Sequence, residues 1–371
     1  MSHFYRVQLY AFALPLVRPI PVGHQTIASR EGILLSLEDQ HGCLGLGEVM
    51  PLPGMHKETL EEAKLEIQTL VPSLLDMKLG SDVFQSLEQL DSLYQNHSTS
   101  PSVRFGFDMA MMFYHSSFQM ELLHKLLEPQ SDSVVNVQAL LSGEPEELIQ
   151  QALTRHGEGY RTFKVKLGRS SLQEDIDLVH ILRERLGPDV VLRLDPNRAW
   201  SLKDAIQFVQ QTRSVHWEFL EEPLRVAKEI PALVDETQAS IALDESLGWG
   251  TDEEPLQPNS RDARLDKASA LVLKPHILGG WKTTQAWITW ALAHQKKVVF
   301  SDCFGSGLGV GFLAHWASSL KQGGAQGLDT GRWLEQDLIP PVIQSGSVEM
   351  ESSYEVLAQI HPEILRPLNA E

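Results

Sequence analysis

From about residue 134 to residue 330 the chain alternates between short apolar runs rich in β-formers and longer stretches with apolar positions at helical spacing. The runs are VVNVQALL (134–141), RTFKVKL (161–167), VLRLDPN (191–197), EFLEEP (218–223), IALDES (241–246), ALVLKP (270–275), KVVFSD (297–302) and AQGLDT (325–330). Helical spacing marks PEELIQQALTRHG, LQEDIDLVHILRERLG, SLKDAIQFVQQTR, AKEIPALVDETQ and TTQAWITWALAHQ between them. Lys166 to Asp195 is 29 residues, Asp195 to Glu221 is 26, Glu221 to Asp244 is 23 and Asp244 to Lys274 is 30. That interval fits a strand, a loop, a helix and a second loop. Eight such units predict a closed (β/α) barrel, whose chemistry sits at the carboxyl ends of the strands. A doubly wound open sheet is the alternative; the chain lacks the early glycine-rich phosphate turn of that fold.

The first part of the chain reads differently. FYRVQLYAFAL (4–14) and EGILLSLEDQHGCLGLGEVM (31–50) alternate like an antiparallel meander. Residues 57–95 and PSVRFGFDMAMMFYHSSFQ (101–119) have helical periodicity, with acidic residues near the start of KETLEEAKLEIQTLV. The prediction is an α+β domain over 1–130, a barrel over 131–330, and a tail over 331–371 that folds back onto the first domain. The stretches RPIPVGHQ (18–25) and GEVMPLPGMH (47–56) are expected to be loops that close over the barrel mouth.

The predicted strand ends carry the chemistry. Lys164 and Lys166 are two apart, so they share a face. Two ammoniums pointing inward would push one of them toward neutrality, and a neutral lysine is a base; alternatively both snorkel to solvent. Asp195, Glu221 and Asp244 end three successive strands. Three carboxylates at one depth suit a hard cation such as Mg²⁺; alternatively each caps the helix beyond it or pairs with a lysine. Glu222 and Glu245 come directly after two of the acids and are expected to point behind them. Arg193, two before Asp195, is expected to pair with an inner carboxylate. Lys274 ends the sixth strand, across the barrel from Lys166. A cation that binds a substrate carboxylate, with an amine beside it, is the arrangement that removes an α-proton.

Charge and cysteine content narrow the setting. A formal net charge of −18 argues against nucleic acid and against anionic membrane surfaces. Two cysteines suit a reducing compartment, and MSHFYRVQLYAF lacks the basic segment and apolar core of a signal peptide. The expectation is a cytoplasmic protein whose partner is a small-molecule carboxylate, with room for a homo-oligomer.

The ordered set KVK (164–166), DPN (195–197), EEP (221–223), DES (244–246), KPHILGG (274–280) and GLDT (327–330) resembles the enolase superfamily, and within it the o-succinylbenzoate synthases of the lysine-flanked, muconate-lactonizing-like branch. GEVMPLPGMHKETLEEA (47–63) and PSVRFGFDMA (101–110) extend the resemblance to almost the whole chain. It implies an α/β fold, a (β/α)7β TIM-type barrel under an α+β capping domain. It implies Mg²⁺, with Mn²⁺ as a substitute, on Asp195, Glu221 and Asp244. Lys166 would be the base, Lys274 the cation facing the enediolate, and Lys164 a neighbour that tunes Lys166. Asn197, Ser301 and Gly327 match substrate-binding positions, Asn197 near the metal site and the other two against the substrate's succinyl group. The implied reaction is dehydration of 2-succinyl-6-hydroxy-2,4-cyclohexadiene-1-carboxylate to 2-succinylbenzoate, in menaquinone biosynthesis. An N-acylamino acid racemase, a dipeptide epimerase or a cycloisomerase would use the same lysines and acids; an inactive metal-binding scaffold is the non-enzymatic alternative. FSDCFGSGLG (300–309) departs from the family pattern, with Asp302 and Gly305 in what is expected to be a serine-rich run with a Glu.

Overall fold

The computed structural model describes residues 3–22, 25–248, 254–340 and 342–368. Three long antiparallel strands, β1 (Phe4–Val22), β2 (Gln25–Asp39) and β3 (Leu44–Val49), open the chain. Helices α1 (Leu60–Asp76), α2 (Val83–His97) and α3 (Pro101–Gln119) come next. A Thr59–Glu62 capping box starts α1, and the Asp82 side chain caps α2. The stretch expected to be the loop RPIPVGHQ is instead the end of a hairpin: Ile20–Val22 pair with Gln25–Ile27. Gly23 and His24 lie outside the described residues.

The predicted first barrel strand splits in two. β4 (Val134–Asn136) leaves the barrel and pairs with the tail, whereas β5 (Ala139–Leu141) starts the parallel sheet. β6 (Thr162–Lys166), β7 (Val191–Asp195), β8 (Phe219–Glu221), β9 (Ile241–Leu243), β10 (Ala270–Leu273) and β11 (Lys297–Phe300) continue it in sequence order. The eighth strand, expected at 325–330, is reduced to two bridge residues. Gln326 bridges Val137 and Gly327 bridges Ser301, with Gly327 N–H donating to Phe300 O at 2.7 Å and Gln326 N–H to Asn136 O at 2.8 Å. Those bonds join the first and last strands and close the (β/α)7β barrel. In the tail, β12 (Ile343–Gln344) and β13 (Ser347–Glu349) complete the small sheet with β4, and β14 (Arg366–Leu368) pairs with β1.

Strand alternation decides what faces the barrel axis. Phe219, Ala242, Ala270, Val272 and Val299 form a core cluster separate from the main one. Glu221, Asp244, Lys274 and Ser301 each lie two residues beyond one of these, on the same face. The same parity links Arg193 to Asp195 and Lys164 to Lys166. Small inner side chains fill the barrel, and polar ones crown it.

Cap and barrel share α3, which is buried from Ser102 to Ser117 except at the half-buried Arg104. Its backbone lies directly against β3: a Cβ on Gly47 would stand 1.9 Å from Gly106 O, and one on Gly45 would stand 2.0 Å from Ala110 O. On its other side Phe105 and Phe113 meet Phe312 edge-on, and Asp108 accepts from Trp281 N–H at 2.6 Å. Gly47→Ala forces backbone apart and should lower stability to urea by about 2–3 kcal/mol. Gly311→Ala, in the helix Gly307–Ser319 where a Cβ meets nothing within 4 Å, should leave it unchanged or raise it by up to ~1 kcal/mol.

Candidate active site

All the expected acids and lysines arrive at one end of the barrel. Lys166, Asp195 and Glu221 are the last residues of β6, β7 and β8; Asp244 and Lys274 directly follow β9 and β10. Lys164 Nζ lies 2.6 Å from Glu221 and 2.9 Å from Asp195. Lys166 Nζ donates to Asp195 Oδ2 at 2.5 Å and to Asn197 Oδ1 at 2.8 Å. Lys274 Nζ donates to Asp244 Oδ2 at 2.5 Å. The lysines line a cavity of about 710 Å³ together with Asn197, Ser301 and Gly327. The three acids lie beneath them, almost fully buried.

Burial works against a charged Lys164, but the charges of Asp195 and Glu221 outweigh it and hold its pKa above the ordinary lysine value. The expectation of a lysine pushed toward neutrality by its neighbour therefore fails at Lys164, because the carboxylates stand closer than the second amine. Burial would raise Asp195, but Lys164 and Lys166 hold it well below the usual carboxylate range. Burial, and then the charge on Asp195, push Glu221 up to about 8. Lys274 is raised because Asp244 and Glu245 outweigh its burial.

The residues behind the acids divide. Glu222 lies behind as expected: it accepts from Asp244 N–H at 3.0 Å and from the Ser246 hydroxyl at 2.5 Å. Glu245 does not. It lines the cavity, within hydrogen-bond reach of Asn197 Nδ2 at 3.5 Å, and burial pushes it up to about 7. The two-residue alternation that would have turned it away stops at Asp244, since Glu245 begins a 3₁₀ turn. Arg193 shares the inner face with Asp195 but pairs deeper in the barrel, with Glu218 at 2.5 Å and Gln138 Oε1 at 2.6 Å.

An oxygen-only, anionic donor set suits a hard dication. The upward push on Glu221 and the buried Glu245 Oε2, which has no hydrogen-bond partner, show negative charge left over in this space. Among the described residues no three acids, histidines or cysteines are gathered around one point; ammoniums stand between the carboxylates. The residues fit a dication that takes over contacts now made by lysines.

Sequence reasoning missed Glu48. It rises from β3 into the barrel, fully buried, and accepts hydrogen bonds from the Ser306 hydroxyl and from Ser306 N–H at 3.3 Å. A Cβ on Gly305 would stand 2.7 Å from Glu48 Oε1, and one on Gly309 2.1 Å. The small residues in the departing strand-seven run thus make room for a carboxyl supplied by the cap. The signal in the sequence is a lone acid within the apolar run LGLGEVM. His276 packs its ring on Phe105 at 3.9 Å, and Cys303 lines the cavity with its thiol pushed by burial to about 12.

Two family models match the chain: "MenC, N-terminal domain" over residues 4–114 and "Enolase C-terminal domain-like" over residues 147–352. The o-succinylbenzoate synthase of Klebsiella pneumoniae (strain 342) is 30% identical over 337 residues, covering 90% of this chain and 93% of that protein. The chain belongs to the o-succinylbenzoate synthase family of the enolase superfamily. It is thereby an enzyme of the carbon–oxygen lyase class. The Vibrio cholerae serotype O1 (strain M66-2) o-succinylbenzoate synthase is 31% identical, covering 87% of this chain and 88% of its own. The chain spans only 20% of the similar Protein PHYLLO, chloroplastic, of Arabidopsis thaliana, at 30% identity. A dipeptide epimerase from Enterococcus faecalis V583, solved with Mg and L-Leu-L-Tyr, superposes with a TM-score of 0.81 at 22% identity, over 94% of this chain and 98% of that one. An N-succinyl Arg/Lys racemase from Bacillus cereus ATCC 14579 gives 0.80 at 19% identity, over 99% of this chain and 100% of that one. These likenesses establish the fold. No helix among the described residues is long and apolar enough to cross a membrane.

Burial raises Glu48 from 4.5 to about 8. The folded state then holds that proton more tightly than the unfolded chain. The stability it contributes is complete below about pH 4.5 and is lost as pH rises through 8. Glu48→Gln should remove from the fall in urea stability between pH 5 and pH 8 a component on the order of a few kcal/mol. Parallel denaturation curves of the two proteins across that range check it.

Proposed function

We propose that this enzyme dehydrates 2-succinyl-6-hydroxy-2,4-cyclohexadiene-1-carboxylate to 2-succinylbenzoate, the step its family serves in menaquinone biosynthesis. The observation that carries the proposal is the pair of lysines, Lys166 and Lys274, lining one cavity above three buried acids. Asp195, Glu221 and Asp244 would hold Mg²⁺, which when bound would draw electron density from the substrate carboxylate and so acidify its α-carbon. Lys166 Nζ takes the α-proton. Lys274 Nζ, a charged ammonium held by Asp244, offsets the negative charge that builds up as the enediolate forms. Lys166 then returns a proton to the leaving hydroxide, so base and acid are one amine. Lys164, between Asp195 and Glu221, fixes the orientation of both carboxylates. Asn197 accepts from Lys166 and aims it. Loss of water makes the ring aromatic, so the site has to start the reaction rather than pull it to completion. Cytoplasmic location and a metal-dependent mechanism complete the proposal.

The competing chemistry on this scaffold is racemisation or epimerisation, and the same amines serve it. The purified protein should form the aromatic product from the cyclohexadiene acid faster than it racemises N-succinylamino acids. Racemisation without aromatisation would sink the dehydratase assignment. Lys166→Ala should lower kcat/KM by at least about 100-fold with unchanged circular dichroism. A chelator should abolish turnover, and added Mg²⁺ should restore it.

A further inference from the structure

We propose that Arg18 and Arg169 form a cationic rim that receives a second, distal carboxylate, so that this site selects dicarboxylates over monocarboxylates of the same size. The inference rests on the proposed reaction for its substrate, whose succinyl chain ends in a carboxylate several bonds from the ring carboxylate.

The ammoniums on the floor of the cavity all have acid partners: Lys164, Lys166 and Lys274 each stand within 2.9 Å of a carboxylate. The cations of the rim do not. Arg18 and Arg169 both line the cavity, both are exposed, and among the described residues neither makes a hydrogen bond or an ion pair. Arg198, which also lines it, donates to Arg225 O at 3.1 Å. In a chain with a net charge of −18, two guanidiniums without acid partners at the mouth of a cavity make a local positive field. Planar guanidinium forks match a carboxylate.

The backbone fixes where both residues sit. Pro15 pairs with Ser29 and Ile20 with Ile27, so Leu16–Pro19 bow out of the β1–β2 ladder opposite a single residue, Ala28. A bulge of this kind re-aims side chains. The bow is pinned to the segment that follows the closing strand by a bridge from Leu16 to Leu334 and by Glu335 N–H donating to Pro15 O at 2.8 Å. Pro19 and Pro21 stiffen the end of the strand beyond it. Arg169 comes three residues after Lys166, just past Gly168, whose φ of +75° turns the chain. A Cβ at Gly168 would stand 2.5 Å from Ala199 Cβ, so the turn is held against the β7 loop. One arginine thus comes from the cap and one from the barrel. A molecule held at the floor and at the rim ties the two together over a cavity large enough for a ring and a four-carbon arm.

The test is equilibrium binding of 2-succinylbenzoate and of its distal monomethyl ester to the full chain in the presence of Mg²⁺. The wild type should prefer the diacid by about tenfold or more. In the Arg18→Ala/Arg169→Ala double variant the ratio should fall toward one, and the Arg18→Lys/Arg169→Lys variant should keep part of it. An unchanged ratio in the alanine variant, or a wild type that binds acid and ester equally, overturns the proposal. Because binding is read rather than turnover, a protein that binds the diacid selectively but never forms it counts against the proposed reaction alone.

Discussion

Three carboxylates buried at the mouth of a barrel cannot stand without compensating charge. The penalty for desolvating an ion is several kcal/mol even after relaxation, and only close opposite charge offsets it. Asp195, Glu221 and Asp244 meet that demand with Lys164, Lys166 and Lys274, at 2.5 to 2.9 Å. The compensation is incomplete, and Glu221 shows it: one ammonium, Lys164, serves two carboxylates, and the one that loses is driven toward its protonated form. The arrangement is therefore stable enough to fold and unsatisfied enough to favour further positive charge. The same lysines that neutralise the acids are those the proposed chemistry needs at the substrate, so under that proposal structural charge compensation and reactivity draw on one set of groups.

The strand ends were legible in the sequence because parallel barrel strands are apolar on both faces and carry their polar residues where they stop. The period of two then identified which of those residues face inward, and Glu221, Asp244 and Lys274 each fall two beyond a small or aromatic inner residue. Where the strand ends, that logic ends too. Glu245 follows Asp244 by one and should have turned away, yet a 3₁₀ turn starting there carries it to the cavity side. The eighth strand was overestimated for a related reason. Its work is to close a ring, and two bridging residues, Gln326 and Gly327, suffice. The end of the hairpin at Arg18–Val22 was read as loop because Pro19 and Pro21 interrupt its alternation; Pro19 is tolerated because the strand bows away from its partner there.

Glu48 was not legible, and the reason is geometric rather than statistical. Its partner, Ser306, is 258 residues away, and nothing in either local pattern refers to the other. Yet the two departures at Gly305 and Gly309 become intelligible once it is placed, since any side chain there would occupy the space of its carboxyl. The carboxyl beside that run reaches over from the cap. The consequence is mechanical: Ser306, whose side chain caps the helix after strand seven, is held by a carboxyl from the other domain. Cap and barrel are joined there by hydrogen bonds, and through α3 by apolar packing.

That union explains why selectivity should be sought at the rim. Under the proposed chemistry the amines and acids on the floor would serve a ring acid and an acylated amino acid alike, so they would not distinguish the two. Distinction has to come from what the cap brings over the mouth, and its contribution is the bowed segment around Arg18, anchored to the closing end of the barrel at Leu334. A floor whose ammoniums are already paired with acids offers no further cation to a second carboxylate. A rim carrying positive charge without acid partners favours the molecule with a second one. Since Arg18 belongs to the cap and Arg169 to the barrel, charge on the far end of a substrate is the feature both halves of the protein can sense at once, and it is sensed well away from the bond that breaks.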